Sequence, residues 1–387
     1  DKVMRQLFDF DEIRPFYDEE IPDIIRSLTK EEKFRHALKF VVPDVDAFCR
    51  QMEECTTKRE FQKRLAIPVL NDLARRSTSG VDAIGLENLS PSGNYTYMSN
   101  HRDIVLDASF LNMMLDAHGF ETSEVAIGDN LLVYPWISDL VRVNKSVIVN
   151  RNVPRRRMLE VSRRLSNYIN FAIKIKHQSL WIAQREGRSK NSEDQTQESV
   201  IKMLNLGGGS DMRTNIMGLN IVPVSISYEY DPCDYLKAKE YQMKRDNPDY
   251  KKQPQDDLFS METGISGYKG HIHFHLSPVI NGELEKLEDC CEKSDVLHCI
   301  TRIIDKAIHS NYMIYSGNYV AYDELYHTDR FSRNYSTEEK RRFMDYMQKQ
   351  LDKIDLPQKD EAFLLERMLE MYSNPLKNKL IATGVDL

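Results

Sequence analysis

The sequence lacks any run of about 18 apolar residues, the length that a membrane-spanning helix needs. It also lacks a long basic tail, and its net charge is -7. Binding to nucleic acid through bulk charge is therefore not expected. The first four residues, Asp1 to Met4, do not form the apolar stretch of a secretory signal. These absences favour a cytoplasmic protein without a membrane-spanning helix.

Cysteine is sparse as well, with six residues in a chain of 387 and no Cys-x-x-Cys pair. The cysteines are therefore expected to be reduced thiols, as is usual in the cytosol. Cys290-Cys291, followed by His298-Cys299, is the grouping that most resembles a zinc site, but adjacent cysteines fit a tetrahedral site poorly. We therefore expect no zinc at these cysteines.

What the chain does contain is enough apolar material for a large core, since hydrophobic residues make up 41% and charged residues 29%. Three regions are predicted: a helical N-terminal region (1–80), a region of alternating strands and helices (81–285), and a helical C-terminal region (286–387). Alternation of this kind indicates an α/β layer architecture. The predicted strands are Tyr95–Ser99, Ser146–Asn150, Leu180–Gln184, Ile221–Tyr228 and His271–Leu276.

A histidine and an aspartate stand where the first of these strands turns into an apolar helical run. His101 follows the strand directly, and Asp107 lies further along the turn. Ligands of α/β sheets bind at the carboxyl ends of the strands, so His101 is placed to meet one. An aspartate can fix the imidazole tautomer, so that the other ring nitrogen takes a proton from a hydroxyl group. The alternative is a histidine that is simply satisfied by its neighbours.

Two arginine-containing turns follow later strands. The strand Leu180–Gln184 leads into Glu186-Gly187-Arg188-Ser189, and Arg151 ends the strand Ser146–Asn150 just before Arg155–Arg157. Arginine suits phosphate because its planar donors bind two oxygens at once. This basic cluster could attract the phosphate of an acceptor, of a carrier cofactor or of anionic lipid. Solvated surface arginines are the plainer alternative for both turns.

The strand Ile221–Tyr228 contains Pro223. Proline has no N–H to donate, so this position predicts an edge strand or the start of a strand. Side chains of this strand are otherwise expected to be core.

Along the last predicted strand, His271, His273 and His275 alternate and so share one face. A polar-faced strand explains them more simply than a transition metal, and no metal site is predicted.

Taken in order, these motifs resemble the glycerol-3-phosphate and lysophosphatidate acyltransferase superfamily over roughly residues 90–280. The resemblance implies an α/β fold with a mixed central sheet flanked by helices. It implies that His101 is the general base and that Asp107 orients it. Arg102 after the histidine, and the Tyr228-Glu229 ending, favour the glycerol-3-phosphate acyltransferase branch. The residues that it implies for substrate binding are Arg102, Arg151, Glu186, Gly187, Arg188 and Ser189.

The spacing between the histidine and the aspartate departs from the family pattern by one additional residue. Five residues separate His101 from Asp107, and one extra residue would turn the aspartate by roughly 100° on a helix. Either the turn is reshaped to restore the contact, or Asp103 substitutes, or the site is inactive. We favour a reshaped turn, because the histidine precedes the helix and an insertion can be absorbed there.

The expected reaction moves a fatty acyl group from acyl-CoA or acyl-ACP, as co-substrate, to a hydroxyl of glycerol 3-phosphate or a lysophospholipid. The thioester is already activated, so a base worth about 10²–10⁴-fold and good positioning suffice, without a bound cofactor. The protein would then meet the membrane from its surface, with acyl carrier protein as one candidate partner. Two alternatives stay open: O-acylation of another mono-acylated lipid such as an amino-acid lipid, and a non-catalytic lipid-binding homologue.

Overall fold

Seven strands form one mixed sheet at the centre of the protein. A computed structural model describes residues 9–287 and 293–386. The sheet has the order β1-β7-β6-β2-β5-β3-β4, and every neighbouring pair is parallel except β6 and β7. In chain order the strands are β1 (Gly80–Ile84), β2 (Thr96–Ser99), β3 (Glu124–Gly128), β4 (Ser146–Val149), β5 (Leu180–Ala183), β6 (Ile221–Tyr228) and β7 (His271–Leu276). The predicted α/β fold with a mixed sheet and flanking helices is confirmed.

Helices precede, connect and follow these strands. Before the sheet come α1 (Ile21–Lys30), α2 (Glu32–Leu38), α3 (Val45–Glu53), α4 (Lys58–Phe61) and α5 (Ile67–Ser77). The connections contain α6 (Leu106–Ala117), α7 (Pro135–Val143), α8 (Met158–Lys174), α9 (Glu198–Leu206), α10 (Met212–Met217), α11 (Asp234–Asp246) and α12 (Pro254–Ser266). After the last strand come α13 (Asn281–Glu285), α14 (Lys293–Ser310), α15 (Ser316–Tyr326), α16 (Thr337–Asp352) and α17 (Glu361–Ala382).

Shorter helical turns complete these elements. A π-helical stretch, Gln62–Ala66, joins α4 to α5. The 3-10 turns are Asp18–Glu20, Leu86–Asn88, Asp129–Leu131, Arg155–Arg157 and Ser332–Asn334. In the described part of the chain, no helix is long and apolar enough to cross a membrane.

The five strands predicted from the sequence are all present, with ends that differ by at most one residue. Two strands of five residues each, β1 and β3, were missed. The expectation that Pro223 marks an edge or a strand start is wrong, because β6 lies between β2 and β7. Pro223 is tolerated there since the antiparallel pairing with β7 begins only at Val224, and its carbonyl still accepts from the N–H of Ser277 at 2.9 Å.

Both faces of the sheet are covered by apolar side chains. On one face α8, α9 and α14 pack on the strands, and on the other face α5 and α6 do so. The N-terminal helices form a further cluster with α7, and the C-terminal helices form another with α11. The inner strands are therefore buried on both sides, as parallel strands usually are, whereas β1 at the edge is partly exposed. The division into three regions at residues 80 and 285 stays a prediction.

Candidate active site

Three of the sequence motifs meet at the carboxyl edge of the sheet. His101 lies just beyond β2, Arg151 just beyond β4, and Glu186-Gly187-Arg188 just beyond β5. β2 and β5 are parallel neighbours with Ser99 opposite Ala183, so the turns that follow them are adjacent. All of these residues line one cavity of about 800 Å³, which is within the range of small-molecule sites.

His101 and Asp107 are in direct contact. The Nδ1 atom of His101 is 2.7 Å from Oδ2 of Asp107, which also accepts the backbone N–H groups of Arg102 at 2.7 Å and Asp103 at 3.1 Å. The Tyr228 hydroxyl donates to the other carboxylate oxygen at 2.9 Å. This set of donors fixes the buried carboxylate of Asp107 in place. When Nδ1 of His101 carries the hydrogen, Nε2 can accept a proton from a group bound in the cavity.

The additional residue between histidine and aspartate is absorbed before the helix begins. Residues 101–105 are not helical, and α6 begins at Leu106. The carboxylate of Asp103 accepts the N–H groups of Val105 at 2.9 Å and Leu106 at 2.8 Å, so it caps the helix. Its role is thus distinct from that of Asp107, and burial raises the pKa of Asp103. It is Asp107 that contacts the histidine.

The ring of His101 is held from a second side by Trp181 of β5. The two rings meet edge to face with centroids 5.5 Å apart, and the indole N–H donates to Ser99 Oγ at 2.9 Å. Asn100 ties the same turn to β6, because its side-chain amide exchanges two hydrogen bonds with the backbone of Ile226, at 2.8 and 2.9 Å. The histidine therefore projects from a turn that is attached to both neighbouring strands.

Arg188 is a buried cation that faces the cavity. It is only 7% exposed, and within the described residues it makes no hydrogen bond or ion pair. A buried cation without a hydrogen-bonded counterion is costly, so Arg188 is a candidate site for an anion, beside the more distant charges of Asp103 and Asp231. Gly187, which precedes it, has a φ of +71° and allows the left-handed turn that leads into the cavity wall.

Arg151 and Glu186 face each other across the mouth of the cavity. Nε of Arg151 is 3.7 Å from Oε1 of Glu186, a loose ion pair, and Glu186 is largely exposed. Gly128 lies so close to Arg151 that a side chain there would contact its guanidinium. The Arg151 backbone is held by Asp129, whose carboxylate accepts its N–H at 3.0 Å. Arg151 and Arg188 thus line the same cavity.

Arg102 and Ser189, predicted to bind substrate, do not line the cavity. Arg102 is buried and makes two hydrogen bonds of 2.6 Å to Asp194, which also accepts from the Tyr312 hydroxyl. The structure contradicts a substrate contact for Arg102, because its guanidinium is already neutralised inside the protein. Ser189 is also fully buried, and its hydroxyl donates to Asn191 at 3.2 Å.

Three lysines that the sequence analysis missed also line the cavity: Lys190, Lys244 and Lys252. Lys190 lies 3.4 Å from Glu240, and burial, followed by the charge of Arg188, lowers the pKa of Lys190 to about 7. Lys190 directly follows the Glu-Gly-Arg-Ser turn, and this position in the sequence could have indicated that it lines the cavity. The other two come from α11 and the loop before α12, where nothing in the sequence points to the site.

Many of the remaining side chains that line the cavity are apolar, and part of them come from the N-terminal helices. These side chains continue the cavity away from His101 toward the cluster between the N-terminal helices and α7. They include Phe34, Leu38, Phe48, Phe61, Ile67, Leu70 and Leu140. One cavity therefore combines an apolar compartment, a histidine and a group of cations.

No group of metal ligands is found among the described residues. His271 and His273 each contact a carboxylate oxygen of Asp82 on the neighbouring strand β1, which accounts for their polar face. Cys290 and Cys291 lie outside the described residues.

Residues 80–227 match the family model described as Acyltransferase. This match agrees with the superfamily that the motifs predict. A similar solved structure is the 1-acyl-sn-glycerophosphate (LPA) acyltransferase PlsC from Thermotoga maritima. Its sequence identity is 12% and its TM-score 0.36, with 79% of this chain and 97% of that chain covered. No curated protein matches the chain in sequence.

Proposed function

We propose that this protein is an O-acyltransferase that moves a fatty acyl group from a thioester to a hydroxyl of glycerol 3-phosphate or a lysophospholipid. The observation that carries the proposal is the arrangement around His101. A histidine held by Asp107 faces a cavity that is apolar on one side and lined by Arg151 and Arg188 on the other.

In the proposed reaction, Nε2 of His101 takes the proton of the acceptor hydroxyl as its oxygen attacks the thioester carbonyl carbon. The new C–O bond forms, and a tetrahedral intermediate carries negative charge on the former carbonyl oxygen. The C–S bond then breaks, and the departing sulfur takes the proton back from His101. Asp107 stabilises the imidazolium in between and keeps its own position through the Tyr228 hydroxyl.

The acceptor phosphate is proposed to bind between Arg151 and Arg188. Arg188 lacks a partner within the described protein, so a phosphate would supply the missing negative charge. Arg151 would share that phosphate and release its loose contact with Glu186. The acyl chain would occupy the apolar compartment formed by the N-terminal helices, where burial of each CH₂ group contributes about 0.8 kcal/mol.

Thiol release from palmitoyl-CoA and from palmitoyl-ACP tests the proposal, with glycerol 3-phosphate or lysophosphatidate as acceptor. His101→Ala should abolish acceptor-dependent release, while His298→Ala, at an exposed histidine outside the cavity, should leave it unchanged. Comparing the two donors identifies the carrier, and comparing the acceptors identifies the branch of the superfamily.

Two other outcomes distinguish the alternatives. If His101 is required but Arg151→Gln and Arg188→Gln retain full activity, the acceptor carries no phosphate, and a mono-acylated amino-acid lipid becomes the substrate to test. If no donor and acceptor pair gives thiol release while lysophosphatidate still binds, the protein is a lipid-binding homologue without activity.

A further inference from the structure

Arg155, Arg156, Arg157, Met158 and Leu159 form an exposed surface at the start of α8, here called the α8 surface. All five side chains are exposed. The two apolar ones, Met158 and Leu159, are 40% and 61% exposed. Three consecutive arginines beside two apolar side chains are unusual on a chain whose net charge is -7. The contacts within the fold do not explain them.

The arginines of the α8 surface stand at the unfavourable end of their helix. They occupy the 3-10 turn that leads directly into α8, where the positive end of the helix dipole disfavours cations. Arg157 contacts Glu160, but Arg155 and Arg156 have no ion pair or hydrogen bond within the described residues. Their charge therefore costs stability rather than adding to it, and it is available to a partner outside the chain.

The α8 surface adjoins the mouth of the active-site cavity. Met158 itself lines the cavity, as do Arg151 before it and Ser162 one turn after it. Across the cavity, α12 contributes Met261 to the wall and leaves Phe259 52% exposed. Exposed apolar side chains thus lie on two elements that border the cavity, with basic residues beside them.

We propose that the α8 surface docks on an anionic lipid bilayer, so that the cavity opens toward the membrane. The proposal rests on the proposed function for its lipid substrate. Arginines beside an anionic bilayer are attracted to its surface charge, and apolar side chains such as Leu159 can enter the boundary between headgroups and acyl chains. A single weak anchor gives marginal binding, whereas charge and apolar insertion together give stable binding.

Sedimentation with vesicles tests this docking without any turnover. Wild type should bind vesicles of equal parts phosphatidylglycerol and phosphatidylcholine much more tightly than vesicles of phosphatidylcholine alone, and salt should weaken the binding. Arg155→Gln/Arg156→Gln should reduce the partition coefficient about 25-fold, from roughly fivefold per arginine. Leu159→Ser should reduce it about tenfold through lost apolar burial.

Matched variants separate the α8 surface from general charge and hydrophobicity. Arg75→Gln/Arg76→Gln removes an exposed arginine pair at the end of another helix, and Ile381→Ser removes an exposed aliphatic side chain elsewhere. Both should bind vesicles like wild type. His101→Ala should also bind like wild type, so a failure of the proposed reaction does not affect this measurement.

Three results would overturn the proposal. One is equal binding to both vesicle types, and another is an equal loss in the Arg75/Arg76 control. The third is unchanged vesicle binding in Arg155→Gln/Arg156→Gln, together with a raised KM for palmitoyl-ACP alone. That last pattern would assign the surface to an acidic carrier protein instead of a membrane.

Discussion

Substituting Gln separately at Arg102 and at Arg188 should give opposite results, although both arginines are buried and lie near the same histidine. Arg102 is paired twice with Asp194, whereas Arg188 has no such partner among the described residues. The first substitution leaves a buried carboxylate without its cation. The second removes a buried cation that has no hydrogen bond or ion pair among the described residues, although the charges of Asp103 and Asp231 act on it.

The expected magnitudes follow from these contacts. Breaking a buried ion pair by removing one partner costs about 3–5 kcal/mol, so Arg102→Gln should lower the free energy of unfolding by that amount. Arg188→Gln should leave stability unchanged or raise it. If Arg188 binds the acceptor phosphate, losing a hydrogen bond to a charged group costs about 1.5–3 kcal/mol. The KM for a phosphorylated acceptor should then rise roughly 10- to 100-fold.

Urea unfolding followed by circular dichroism and steady-state kinetics would measure the two effects on the same samples. A double variant, Arg102→Gln/Asp194→Asn, serves as control, because removing both charges should recover part of the stability that either single change loses. The reasoning is refuted if Arg102→Gln is as stable as wild type, or if Arg188→Gln is strongly destabilised while the KM stays the same.

Three more substitutions test other parts of the structure. Tyr228→Phe removes one hydrogen bond from Asp107, so kcat should fall roughly tenfold while the KM stays nearly constant. Burial raises the pKa of Asp234 to about 7, so the folded protein holds a proton that the unfolded chain releases near its ordinary value of 3.8. Stability should therefore fall as pH rises from about 4 to 7, and Asp234→Asn should reduce that slope in thermal unfolding. Gly264→Ala would overlap the Asp103 carboxylate that caps α6, so stability should fall by about 1–3 kcal/mol, and kcat should fall with it.

Each of these expectations has a result that would contradict it. Tyr228→Phe with a raised KM and an unchanged kcat would mean that the hydroxyl contacts substrate rather than Asp107. An unaltered pH slope in Asp234→Asn would show that another group carries the proton. For the glycine, the matched control is Gly282→Ala, where an added methyl group meets no atom within 4 Å. Equal losses in both variants would exclude the steric explanation.

The positions of the central motifs were predictable because each depends on a short stretch of sequence. A buried β-rich run followed by a turn and an apolar helix places His101 at the carboxyl end of β2, and the same logic places Arg151 and Arg188 after their strands. Parallel strands in one sheet then bring these ends together. The geometry of a strand and the turn after it is local, so the sequence predicts where these residues of the candidate site lie.

Contacts between distant segments could not be predicted in this way. Arg102 follows the histidine and looked like a ligand for substrate, but its partner Asp194 lies 92 residues further along the chain. Residues 190–198 are mostly polar in sequence, yet the structure buries Asp194 of this segment against Arg102 and Tyr312. Whether an arginine faces substrate or a buried carboxylate depends on which loop packs over it.

The sequence by itself determined the α/β class, the order of the motifs, and the histidine of the candidate site. Only the tertiary structure decided that Asp107, not Asp103, contacts His101. It also decided that lysines from α11 and the loop before α12 line the cavity, and that the N-terminal helices supply part of its apolar wall. The physical reason is the distance along the chain over which each kind of interaction acts. Periodicity and turn chemistry act over a few residues, whereas burial and ion pairing are set by neighbours that only the packed fold brings together.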